Sequence, residues 1–180
     1  MPEESLHDAT MSRFLILTML ICAGLGCTPS RPPPATVPHV DLARYAGTWY
    51  EIARYDYWFE RGLVGVTASY TDRPDGRIDV LNRGRKDSLT GKESSATAIA
   101  WMVAPGELKV RFFWPFAGDY WIIGLADDYR WAVVGAPGRD YLWFLARAPQ
   151  PAAADLAQMR AVAQAAGFDL EPLLSVPQGQ

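Results

Sequence analysis

Apolar residues beyond Tyr45 come in short alternating or continuous runs, each closed by residues that turn the backbone. The runs cover 47–55, 64–72, 77–84, 94–103, 107–113, 119–125, 130–135 and 141–147. Between them lie Arg73-Pro74-Asp75-Gly76, Ala104-Pro105-Gly106, Ala126-Asp127-Asp128 and Ala136-Pro137-Gly138. Pro presets φ, Gly supplies positive φ and Asp bonds its own backbone, so each cluster reads as a tight turn. The pattern predicts an all-β fold, an eight-stranded antiparallel up-and-down β-barrel of the size that holds one small ligand. After Pro151 the period changes. Residues 152–166 are rich in Ala, Leu, Gln and Met, with Asp155 near the positive end and Gly167 as a stop. Leu156, Met159 and Val162 make a narrow apolar stripe, which predicts a C-terminal α-helix packed on the outside of the barrel.

Successive strand residues point to opposite faces, so one inward position fixes the rest of its strand. Trp49 is the anchor, because an indole left in water forfeits a large apolar area. Gly47, two residues earlier, marks a tight backbone bend as the ring turns inward, and both are read as structural. Inward positions are then Glu51, Ala53 and Tyr55; Val66, Ala68 and Tyr70; Ile78, Val80 and Asn82; Ala96 and Ala98; Leu108, Val110 and Phe112; Tyr120, Ile122 and Gly124; Ala132 and Val134; and Tyr141, Trp143 and Leu145. From these, Ala53, Tyr55, Val66, Ala68, Tyr70, Val80, Asn82, Ala98, Val110, Phe112, Tyr120, Ile122, Val134 and Trp143 are expected to line a ligand cavity. Small residues at positions 53, 68, 96, 98, 124 and 132 favour a hollow barrel, the alternative being that they make room for neighbouring rings. Glu51, if inward, must be paired or protonated. Its expected partner is Asn82 or backbone. Trp58 and Phe59 fall just past the first strand, near the mouth.

The N-terminus is a targeting segment. Residues 14–25 form an uncharged apolar run of twelve, too short for a helix that must cross a bilayer with about 20. It fits a signal core behind Arg13, with Met11 as a candidate true start. Gly26-Cys27 resembles the end of a bacterial lipobox, so 1–26 read as signal peptide and Cys27 as the lipidated first residue of the mature chain; Gly24 departs from that pattern. Several acyl chains at about 0.8 kcal/mol per buried CH₂ make a durable anchor. Thr28, rather than Asp, resembles lipoproteins sorted to the outer membrane. The Pro-rich stretch 28–39 reads as a semi-rigid spacer reaching roughly 40 Å, so 27–40 form the anchor and linker and 41–180 the domain. Cys22 leaves with the signal and Cys27 is consumed by lipid, so the domain has no thiol.

Composition narrows function further. Net charge is −3, without the basic excess of nucleic-acid binders. Seven Trp, eight Tyr and seven Phe suit an aromatic-lined interior. His39 lies in the spacer, and no paired carboxylates or Ser/His pattern falls on inward positions, so neither an enzyme nor a metal or cofactor site is expected.

These residues resemble the lipocalin family, in its bacterial outer-membrane lipoprotein branch. Gly47-Thr48-Trp49-Tyr50 matches the first-strand motif, the 119–129 segment with Asp127-Asp128-Tyr129 the second, and Tyr141-Leu142-Trp143-Phe144-Leu145-Ala146-Arg147 the third. Phe59-Glu60-Arg61-Gly62-Leu63 and Pro115-Phe116-Ala117-Gly118 are also typical of the branch, and the resemblance covers about residues 41–178. It implies that Arg147 lies across Trp49, a structural cation–π pair worth about 1–2 kcal/mol when desolvated. It also implies a membrane-anchored carrier of fatty acids or (lyso)phospholipids, facing the periplasm, with homodimerisation possible. The alternatives are a lipid-modifying enzyme on the same barrel and a structural envelope module.

Overall fold

The computed structural model describes residues 31–179, so the signal peptide, Met11 and Cys27 lie outside the described residues. Strands β1 (Gly47–Arg54), β2 (Leu63–Asp72), β3 (Ile78–Lys86), β4 (Glu93–Ala104), β5 (Glu107–Phe113), β6 (Phe116–Leu125), β7 (Trp131–Gly135) and β8 (Leu142–Ala146) pair antiparallel in chain order. β1 pairs with β2 from Gly47 opposite Tyr70 through Tyr50 opposite Thr67, and its pairing with β8 closes the eight-stranded barrel. Helix α2 (Ala153–Ala165) packs on the outside. Two short elements escaped the sequence reading. Helix α1 (Leu42–Tyr45) is N-capped by Asp41, whose carboxylate accepts from the Ala43 and Arg44 amides. Strand β9 (Leu174–Ser175) pairs with β1 at Ala53 and Arg54, and Gln178 donates to both Glu51 O and Val66 O. The tail thus bridges β1 and β2 where their own pairing has ended.

A sheet with two apolar faces builds two cores. One fills the closed end of the barrel around Trp49, Tyr45, Leu108, Ile122 and Val134. The other lies between barrel and helix, with Phe144, Leu142, Met159, Ala163 and Phe168. The buried stripe of α2 runs through Asp155, Met159 and Ala163, at i+4 spacing, rather than through Leu156, Met159 and Val162. Asp155 is not an exposed dipole partner but accepts from Arg130 Nε at 2.8 Å.

Four expectations are corrected. A bulge between Glu51 and Ala53 inserts one residue and reverses the parity of the end of β1. Ala53 therefore faces the outer core, and Tyr55 joins it, its hydroxyl donating to Asp169 O; Arg54 turns inward instead. A second bulge between Ile122 and Gly124 turns Gly124 toward the helix, where an added Cβ would lie 2.6 Å from Val162. Ala98 and Ala132 sit in the filled lower core and Ala96 is exposed, so of the small inward residues only Ala68 borders empty space. Finally, the spacer ends early. Pro34 and Val40 are buried, Val37 N–H donates to Ile122 O, and Thr36 Oγ1 donates to Pro105 O, so residues 34–40 are docked on the barrel.

Candidate ligand cavity

Gly47 takes a φ of +92°, a region that penalises any side chain, and brings β1 directly beneath Arg147. Trp49 is fully buried and donates its indole N–H to Tyr45 O at 2.8 Å. The Arg147 guanidinium lies 3.9 Å above the Trp49 ring. Its N–H groups reach Thr48 O, Arg44 O, Tyr45 O and Ala46 O, three of these at the carboxyl end of α1. Desolvation lowers the pKa of this cation, with its four carbonyl acceptors answering the loss of water. This closed end gives the cavity a rigid base.

Above it, Tyr45, Tyr120 and Tyr70 form a chain of hydroxyls, 2.7 Å between the first pair and 2.8 Å between the second. Burial pushes all three phenols up from their ordinary values, so they stay neutral and bond to one another. Tyr70 and Tyr120 are the floor of a cavity of about 270 Å³. That is close to the lower end of the range of about 300–1,000 Å³ for ligand pockets. Val66, Ala68, Val80, Asn82, Val110, Phe112 and Trp143 form its walls, with Tyr141 and Leu145. Ala98, Ile122 and Val134 point inward but lie in the packed core below, not on the cavity. The lower half of the barrel is solid because α1 and Trp49 fill it, which strand parity alone does not register.

Phe59, expected near the mouth, is on the cavity wall, and Glu60, Gly118 and Asp119 join it there without having been expected. Phe59 and Glu60 belong to the β1–β2 loop, where no periodicity assigns a face. The only signal was chemical: Trp143 points inward with an N–H needing an acceptor, and Glu60 Oε2 supplies it at 3.1 Å. Glu51 pairs with neither Asn82 nor backbone. It accepts from Arg54 Nη1 at 2.6 Å, and Arg54 Nη2 donates to Glu60 O and Leu63 O. Glu51 and Glu60 are 4% and 8% exposed and interact directly, a paired-carboxylate arrangement that inward positions on strands did not foretell. Burial pushes Glu51 up to about 8, the Glu60 charge adding to the rise and Arg54 opposing it. Burial also raises Glu60, against the pull of the Trp143 N–H, Arg54 and Glu51.

At the rim, large aromatics stand in solvent. Trp58 is 82% exposed, Phe113 78%, Trp114 82% and Phe116 79%, while Phe59 and Phe112 run from the rim into the cavity. Among the described residues no group of His, Cys, Asp and Glu could hold a metal ion.

A closed barrel with an apolar cavity, an outer helix and an Arg-on-Trp base is matched by a lipocalin-like domain model over residues 40–178. The chain belongs to the lipocalin family. This lipocalin is 42% identical over 158 residues to the outer membrane lipoprotein Blc of Escherichia coli, covering 86% of the chain and 89% of that relative. It is 40% identical over 169 residues to the protein of the same name in Vibrio cholerae, covering 92% and 97%. Among solved structures, insecticyanin of the tobacco hornworm Manduca sexta superposes on the lipocalin with a TM-score of 0.67 at 16% identity, covering 83% and 86% of the two chains. That likeness is one of fold.

Proposed function

We propose that this lipocalin is a lipid-anchored protein of the bacterial outer membrane that binds and carries acyl-chain ligands, fatty acids or (lyso)phospholipids, in envelope lipid maintenance. The observation that carries the reading is the apolar cavity opening through a rim of exposed aromatics. In this reading residues 1–26 are removed and Cys27 is acylated, with Pro-rich sequence between the anchor and the domain. The relatives named as outer membrane lipoproteins support the location.

The rim supports a lipid surface as donor or acceptor. Trp and Phe sit well at a membrane interface, and basic residues add attraction to anionic lipid. The two neighbouring hairpin tips, 83–93 and 111–118, carry Arg83, Arg85, Lys86, Lys92 and Arg111 against Asp87 and Glu93, in a chain whose net charge is −3. An acyl chain leaving a membrane between Trp58 and Trp114 would meet Phe59 and Phe112 without crossing open water.

Burying an acyl chain at about 0.8 kcal/mol per CH₂ gives gross stabilisation on the order of 10 kcal/mol, from which immobilisation removes several, leaving micromolar affinity. Native mass spectrometry of the protein taken from its own envelope tests the reading. Acylated Cys27 with copurified lipid supports it; an empty chain that takes up no fluorescent fatty acid after delipidation refutes it. The Glu51–Glu60 pair is the one observation favouring a lipid-modifying enzyme. Ester hydrolysis proportional to protein and abolished by Glu51→Gln would establish that reading instead.

A further inference from the structure

The charged groups of the cavity wall are all of one sign. Glu51, Glu60 and Asp119 line it, and among the described residues no Lys, Arg or His does. Asp119 is held by Lys109 at 2.7 Å. Glu51 and Glu60 together face a single cation, Arg54, which does not line the cavity and whose Nη groups are already used on Glu51, Glu60 O and Leu63 O. Arg54 Nε is buried without a partner, outside the lining. With both carboxyls ionised the wall therefore holds one uncompensated negative charge, which burial makes expensive. The other groups facing the pair are the neutral phenols Tyr57 and Tyr70 and the Trp143 N–H, so none of them supplies the missing positive charge.

The neutral polar atoms carry no compensating charge. Asn82, on β3, lines the cavity, and its buried Oδ1 has no hydrogen-bond partner. The Tyr70 and Tyr120 hydroxyls bond to each other, and the Trp143 N–H is committed to Glu60. The cavity wall thus carries two neighbouring carboxyls for one guanidinium, and a fatty-acid carboxylate would enter a wall of its own sign with no cation on it, among the described residues, to meet it.

We propose that the cavity selects amphiphiles whose head group is a protonated amine, seated at Glu51 and Glu60, over free fatty acids of the same chain length. This deepens the carrier reading and rests on it. In the empty protein the excess charge is met by a proton held between the two carboxyls. When the ammonium binds it keeps its own protons, forms hydrogen bonds to the carboxylates, and the displaced carboxyl proton passes to solvent; no covalent bond changes. Binding of the amine is therefore linked to release of one proton, and it strengthens as pH rises toward the Glu51 value of about 8. A simple alkylamine and the ethanolamine head of a lysophospholipid share this chemistry.

The test is competition read by native mass spectrometry on the full chain in non-ionic detergent. Dodecylamine, dodecanoate and dodecanol are offered in equal amounts, and lysophosphatidylethanolamine is offered against lysophosphatidylglycerol. Charge-assisted hydrogen bonds lead us to expect the amine over the acid by roughly tenfold or more. Occupancy by the amine should rise from pH 6 to pH 8, and Glu60→Gln, which keeps an acceptor for Trp143, should bring the ratio near one. Asn82→Leu, which removes no charge and leaves the Glu51–Arg54 pair in place, should reduce the preference in a folded protein. A preference for lysophosphatidylethanolamine as well assigns the site to an ethanolamine lipid; preference for dodecylamine alone assigns it to a simple amine. Equal uptake of all three twelve-carbon ligands overturns the head-group inference while leaving the carrier intact. So does an amine preference unchanged in both variants. Failure of every ligand, dodecanol included, overturns the carrier reading itself.

Discussion

Trp49 joins three things: the carbonyl of Tyr45, the guanidinium of Arg147 and the packed lower barrel. Truncating a fully buried aromatic costs about 3–5 kcal/mol. We expect Trp49→Ala to lose that much in denaturant unfolding while the affinity per folded molecule stays within about threefold. Loss of affinity with unchanged stability would make Trp49 a ligand contact instead. Glu51 sets a pH dependence. Its carboxyl holds its proton in the folded state to about pH 8, whereas an exposed Glu loses it near 4.5. Between those values the folded state binds more protons than the unfolded one, so stability is fully present below the lower value and declines as pH rises toward the upper. Melting temperature should fall from pH 5 to pH 8, and Glu51→Gln should flatten that slope; an unchanged slope would assign it to other groups.

At the scale of elements, the outer helix is seated by glycines. A Cβ at Gly135 would lie 2.5 Å from the Phe168 ring, and one at Gly124 2.6 Å from Val162. Both positions are on strands facing the α2 side of the sheet, where backbone must approach closely. Gly135→Ala should cost about 1–3 kcal/mol by overpacking and speed hydrogen exchange in α2 before it does so in the barrel. Uniform loss of protection would mean that helix and barrel open as one unit. The bulge in β1 is a second such device. By inserting one residue it places both Glu51 and Arg54 on the cavity side and gives the carboxylate its cation.

For the whole molecule, the division into a solid closed end and a hollow open end decides what the barrel can do. The Tyr45–Tyr120–Tyr70 chain marks the boundary, and the exposed rings of the β1–β2 and β5–β6 loops lie at the far end. Replacing Trp58 and Trp114 together by Ser should slow ligand transfer to anionic vesicles by roughly tenfold or more, since each buried aromatic contributes on the order of 1.5–3 kcal/mol. Equilibrium affinity for a soluble ligand should stay within about threefold. Stopped-flow transfer from a pre-loaded fluorescent lipid measures both, and unchanged transfer would remove the membrane from the role of the rim.

The sequence by itself determined what depends on local chemistry. Alternation and turn residues specified eight strands to within two or three residues at each end, and an Ala-rich stretch before Gly167 specified the helix. Parity also placed Val66, Ala68, Tyr70, Val80, Asn82, Val110, Phe112, Tyr120 and Trp143 on the cavity, although Val66 and Phe112 fall within register shifts of β2 and β5. Tertiary structure alone decided the rest. Ala53, Tyr55 and Gly124 left the inward row because a bulge is one extra residue, invisible to a period of two until a partner strand shows the register. Ala98, Ile122 and Val134 left the cavity because α1 and Trp49 fill the lower barrel. Glu60 entered it from a loop, where only the need of the Trp143 N–H for an acceptor fixes its place. The head-group chemistry of the cavity rests on that loop residue and on a register shift, which is why it became legible only in three dimensions.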